Sequence, residues 1–183
     1  MRKLFYFILA AVTVVLAACG NGNDPENQAA QVKTGFENGT LSPWTTIDAD
    51  GDGFNWDITE MLTHEGSFSA ASHSYDNDLK KALTPDNYLV SPKVKLGGSI
   101  SFWAAATDKD AYREHFGVFV STTSNTDPDA FTMLQEWNMT DGQMYYLYQV
   151  DLSAYKGTEG YVAIRHFNCT DQYRLHIDDI KIE

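Results

Sequence analysis

Beyond residue 31 the chain shows almost no helical period. Short apolar or alternating runs recur instead, cut by clusters of Gly, Asn, Asp, Ser and Pro. Tyr88-Leu89-Val90 leads through Ser91-Pro92 into the alternating Lys93-Val94-Lys95-Leu96, and Gly97-Gly98 turns the chain. Ile100, Phe102 and Ala104 then share one face, opposed by Ser99, Ser101 and Trp103. Phe116, Val118 and Val120 alternate, as do Tyr146, Tyr148, Val150 and Leu152; Val162, Ile164 and His166 face away from Tyr161, Ala163, Arg165 and Phe167. Many short strands joined by polar turns pack as an all-β sandwich or barrel. About 150 residues are enough for one such core.

The last run breaks its own rule. Leu175 and Ile177 have odd parity, whereas Ile180 and Ile182 have even parity. A strand whose apolar set changes face contains a bulge, and the break falls on Asp178-Asp179, where a bulge would re-aim a carboxylate. A strand buried on both faces at different points would read the same way.

The first residues carry a processing signal. Arg2 and Lys3 precede an apolar run from Leu4 to Leu16, too short to span a bilayer comfortably and well suited to a signal peptide. The run ends in Leu16-Ala17-Ala18-Cys19, which looks like a lipobox with Cys19 as the acylated residue; an ordinary cleavable signal before a cysteine is the alternative. The expected division is a signal peptide over 1–18, a polar tether over 19–31 and one domain over 32–183, anchored to the bacterial envelope and facing outward from the outer membrane. Removing Arg2 and Lys3 leaves 11 basic against 25 acidic side chains, a formal charge of −14. That balance argues against nucleic acid and anionic membranes as partners, and suits divalent cations that take oxygen ligands. Cys169, the other cysteine, reads as a small buried apolar residue with no Cys-His motif beside it.

Asp48-Ala49-Asp50-Gly51-Asp52-Gly53 sets three carboxylates at every second position. The opening matches an EF-hand loop, but the twelfth position is Thr59, with Glu60 one place late, and no helices flank it. A calcium site of another design and a plain solvated turn are both compatible with this spacing. No G-x-S-x-G or H-E-x-x-H occurs, and the five histidines are scattered. Glu114 and His115, like Arg165 and His166, are neighbours that a strand points to opposite faces. His64 and His73 fall in the least patterned segment, 57–84, and offer a further metal possibility. The chain therefore reads as non-catalytic. Tyr112 and Trp137, placed in loops between strands, are the candidate ligand-contacting aromatics.

Four blocks resemble the cleaved adhesin domain family: GFENGTLSPWTTIDADGDGFNW (35–56), PDNYLVSPKVKLGGSISFWAAATD (85–108), EHFGVFVSTT (114–123) and YVAIRHFNCTDQYRLHIDDIKI (161–182). The resemblance implies a jelly-roll β-sandwich akin to carbohydrate-binding modules, with a structural calcium tying the first strand and its following loop to the last strand. By position it implies Glu37, Asp48, Asp50, Asp52 and Asp179 as ligands, Asp178 as a further one, and Asp108 or Asp110 at a second site. Adhesion to glycans or to host or matrix proteins is the function it implies. An accessory subunit of an envelope assembly, binding no glycan, fits the same sequence.

Overall fold

The computed structural model describes residues 31–183. The signal peptide, Cys19 and most of the tether lie outside the described residues. Gln31, assigned to the tether, is already part of the fold: its N–H donates to the Ile182 carbonyl, and its side chain bonds both the carbonyl and the N–H of Lys95.

Fourteen strands follow: β1 (Val32–Thr34), β2 (Thr45–Asp48), β3 (Asp57–Thr59), β4 (Ser69–His73), β5 (Tyr75–Asp76), β6 (Lys81–Ala82) and β7 (Asn87–Val90) in the first half, then β8 (Val94–Lys95), β9 (Ser99–Ala106), β10 (His115–Ser121), β11 (Thr132–Asn138), β12 (Tyr146–Asp151), β13 (Glu159–His166) and β14 (Arg174–Ile182). Two six-stranded antiparallel sheets make the sandwich. The first runs β12-β9-β14-β4-β3, with β1 also on β14; the second runs β11-β10-β13-β7-β2, with β8 also on β13. A small β5-β6 ribbon stands apart.

The alternation read from the sequence sets the inner faces. Ile100, Phe102 and Ala104 of β9, with Leu175 and Ile177 of β14, oppose Phe116, Val118 and Val120 of β10 and Val162 and Ile164 of β13, all in one buried cluster. Aromatic pairs pin the two layers together; Phe102 and Phe116 meet edge to face at 6.2 Å between centroids.

The parity break at the end of the chain is a bulge. Pairing of β14 with β9 shifts register between Asp178 and Lys181, and Asp179 takes a left-handed φ of +47°. On its other edge β14 changes partner at the same place. Arg174–Ile177 pair with β4, and Ile180–Ile182 pair with β1. The bulge thus sits where one neighbour ends and another begins.

Candidate metal centre

Segment 57–84, the least patterned of the sequence, lays residues 60–68 over the outer face of the first sheet. The Leu62 carbonyl accepts from the Ser69 hydroxyl at 2.7 Å and from the Tyr145 hydroxyl at 2.9 Å. The His64 ring stacks on the outward-facing Trp103 at 3.9 Å. This covering loop meets the β14 bulge. Asp178 Oδ2 accepts from the His64 N–H at 2.9 Å, and Asp179 Oδ2 lies 2.7 Å from His64 Nδ1.

Glu37, three residues beyond β1, arrives from the other side. Its carboxylate accepts the N–H groups of Ser67 and Phe68. Two glycines make room. Gly66 has a φ of +67°, and a Cβ there would land on the Glu37 carboxyl. Gly35 leaves a cradle: a Cβ at that position would lie 3.1 Å from Asp179 Oδ1, 3.4 Å from Asp178 Oδ1 and 3.9 Å from Glu37 Cγ. The segment after the first strand and the bulge of the last strand therefore meet at Gly35, with the Asp178 and Asp179 oxygens on one side and the Glu37 side chain beside them. His64, Glu65 and Asp179 also hold their ligand atoms within 4.8 Å of one another. Burial pushes the Asp178 carboxyl up to about 6, and the adjacent Asp179 charge adds to that against the opposing amide donors.

The acidic loop does not join this clasp. Asp50 lines a cleft with Asp86, Arg165 and Cys169, beside the turn that precedes β14, whereas Asp178-Asp179 lies further along that strand. The expected single site built from Asp48, Asp50, Asp52 and Asp179 is therefore two clusters. Within the loop Asp48 accepts the N–H groups of Gly51 at 2.8 Å and Gly53 at 3.0 Å, and Asp52 accepts that of Phe54 at 2.8 Å. Local turns satisfy these carboxylates, so the loop closes on itself instead of reaching β14. Burial, a hydrogen bond shared with Asp48 and the Asp52 charge push Asp50 up to about 6. Burial works against Asp48, but hydrogen bonds from Gly53, Asp50 and Gly51 carry it below its ordinary value.

Other expectations need correction. Asp108 Oδ1 accepts the N–H groups of Asp110 and Ala111 and so caps a turn; neither Asp108 nor Asp110 belongs to a metal-type cluster among the described residues. Trp137 lies inside β11, not in a loop, and packs against Phe102, Phe116 and Tyr148. Tyr112 is in a loop but leans on the same core. Both rings serve the fold, because a sandwich this rich in aromatics fills its interior with them. His64 is the site residue that sequence patterning placed lowest; only the pairing of β4 with β14 brings it to the bulge.

The outer face of the second sheet carries its own aromatic group. The Arg165 guanidinium lies over the rings of Phe167 at 4.5 Å, Tyr88 at 4.8 Å and Phe119 at 5.3 Å, and it grips Asp86 through two bonds of 2.6 and 2.7 Å. It borders the cleft of ≈ 440 Å³ that Asp50 also lines.

This pairing of a β1–β14 clasp with a two-sheet sandwich extends over almost all the residues described, and the Cleaved Adhesin Domain matches the chain over residues 30–182. The chain belongs to the cleaved adhesin domain family. Among cleaved adhesin relatives, Hemagglutinin A of Porphyromonas gingivalis is 34% identical over 195 residues, covering 94% of this chain and 7% of the relative. Lys-gingipain W83 of the same organism is 35% identical over 184 residues, covering 87% of this chain and 10% of the relative. The chain thus spans a small part of the curated relatives it matches. The solved K1 cleaved adhesin domain of Lys-gingipain superposes with a TM-score of 0.76 at 36% identity, over 83% of this chain and 96% of that one. TmCBM61, solved with β-1,4-galactotriose, shares the fold at a TM-score of 0.59 and 15% identity, over 84% of this chain and 97% of that one. The jelly-roll sandwich expected from the sequence is the fold observed.

Proposed function

We propose that this cleaved adhesin domain is a non-catalytic binding module, displayed outside the cell on a lipid anchor at Cys19, that adheres to glycans or to host or matrix proteins and is clasped by one structural calcium ion. The observation that carries the calcium reading is the Gly35 cradle, rimmed by Asp178 and Asp179 oxygens with Glu37 beside it. All three donors are hard carboxylates, as calcium requires, and His64 is the one basic side chain that pairs with any of them among the described residues. Glu37, Asp178 and Asp179 would hold the ion. The ion would supply cross-linking of the two chain ends and relief of carboxylate repulsion, not chemistry on a substrate. Asp48, Asp50 and Asp52 form a second oxygen-rich cluster, independent of the clasp.

For the ligand, the reading rests on the family and on the sandwich shared with a galactotriose-bound module. The cleft lined by Asp50, Asp86, Arg165, Asn168 and Thr170, in place of Tyr112 and Trp137, is the contact region the geometry favours: its concave polar lining suits hydrogen bonding to sugar hydroxyls. Thermal melting in calcium and in EDTA tests the clasp. A hundredfold excess of calcium over its Kd stabilises by about 2.7 kcal/mol, a rise of roughly 5–10 °C for a domain this size. Equal melting points in both media would remove the calcium reading. A glycan and matrix-protein array tests adhesion, and a clean negative there favours the envelope-assembly subunit.

A further inference from the structure

Glu114, His166 and Cys169 form a triangle that the clasp does not use. Glu114 directly precedes β10 and His166 ends β13; both are wholly buried. The chain then turns at Asn168, with a φ of +54°, and swings Cys169 back over the imidazole. His166 Nε2 lies 3.0 Å from Glu114 Oε2 and 3.1 Å from Cys169 Sγ, and that sulfur lies 3.4 Å from the same Oε2. A ring nitrogen offers one proton or one lone pair in one direction, so Nε2 cannot serve both neighbours at once. A cation at the centre of the triangle engages all three.

We propose that Glu114 Oε2, His166 Nε2 and Cys169 Sγ form a binding site for a borderline-soft divalent metal of the zinc class. Tetrahedral zinc with these donors sets them about 3.3–3.6 Å apart, so the triangle opens by less than about half an ångström to receive the ion. Imidazole and thiolate donors separate this site from the all-oxygen clasp and select against calcium. The outer partners that orient metal ligands are in place. His166 Nδ1 lies 2.8 Å from Ser72 Oγ, which also accepts from Asn87 Nδ2 at 3.1 Å. The other Glu114 oxygen accepts the Ser74 hydroxyl at 2.9 Å and the Tyr173 N–H at 3.1 Å. Two anionic donors and a neutral imidazole balance a dication, which suits a buried setting. Cys169 is half-buried and lines the ≈ 440 Å³ cleft, which gives the ion a way in and a water or ligand atom a way to the fourth position. Cys169 is thus a donor among donors, not the inert apolar residue its sequence context suggests.

Cobalt(II) is the probe, added to the full chain carrying Cys19→Ala so that Cys169 is its one thiol. Calcium is kept in excess to hold the clasp. A thiolate-to-cobalt charge-transfer band saturating at one equivalent, and abolished by excess zinc, is expected. Cys169→Ser, with its fold checked by circular dichroism, should lose the band, and Ser72→Ala should weaken cobalt binding roughly tenfold or more. Should Cys169→Ser fail to fold, zinc must shield Cys169 from alkylation in the Cys19→Ala chain. No band on the folded chain, a band that survives in Cys169→Ser, or a thiol that zinc leaves equally reactive would overturn the site.

Discussion

The Asp48–Asp52 loop crowds three carboxylates and the β14 bulge sets Asp178 beside Asp179 with Glu37 nearby, yet the two regions relieve the repulsion by different means. The loop does so locally. Asp48 takes two amides of its own turn, and Asp52 takes a third. The clasp assembles its acids from positions far apart in the chain, at a strand bulge that is partly closed from water. Amides from the 60–68 segment and His64 partner them, but Asp178 stays strongly perturbed by its burial. Crowding in the loop is absorbed by its own turn within five residues, whereas crowding at the bulge is imposed by tertiary structure.

The largest test of that contrast is backbone room. Gly66→Ala places a Cβ at a left-handed φ directly against the Glu37 carboxyl, and should cost about 3 kcal/mol by denaturant unfolding. Gly51→Ala, left-handed but with open space around it, should cost only about 1 kcal/mol. Equal losses would break the distinction between the two regions. Next in size is the response to calcium. Glu37→Gln should abolish most of the stabilisation of about 2.7 kcal/mol expected at a hundredfold excess, while Asp52→Asn should leave it intact; melting curves with and without EDTA read this directly. If Asp52→Asn erases the response instead, the ion belongs to the loop. Smaller again, Asp48→Ala removes the acceptor of two exposed amides and should cost about 1 kcal/mol in any cation.

A further effect is in pH, and it sharpens the loop side. His73 lies 6.4 Å from the Phe54 ring that follows the loop. Burial, with the Arg174 charge, pulls its pKa from 6.5 to about 4. A histidine depressed on folding contributes full stability above its unfolded pKa and loses it as pH falls, because the unfolded chain binds the proton first. Unfolding measured from pH 7 to 4 should show a loss beginning near pH 6.5, shallower in His73→Gln. An unchanged slope in that variant would remove His73 as the cause.

Legibility in the sequence differed sharply between scaffold and site. The inward faces of β9, β10 and β13 followed from period-two alternation, and the bulge at Asp178-Asp179 followed from a change of parity, since side-chain direction in a strand is a local property. Glu37 and Asp179 were named together by family resemblance and not by spacing, and both flank Gly35. The placement of the acidic loop was misread, because two acidic stretches attract the same prediction whether or not they meet. Trp137 was misplaced because an apolar ring beside polar residues looks the same in a strand and in a loop. His64 could not be placed, as its segment has no period to read.

What the sequence determined by itself was the sheet-forming alternation, the place of the bulge and the acidity that makes a cation welcome. Which acids share one cradle, which close on their own turn, and that Glu114, His166 and Cys169 touch at all were decided by tertiary structure. The reason is physical: periodicity records which way a side chain points from its own strand, and proximity between strands depends on register and on which neighbour each edge finds.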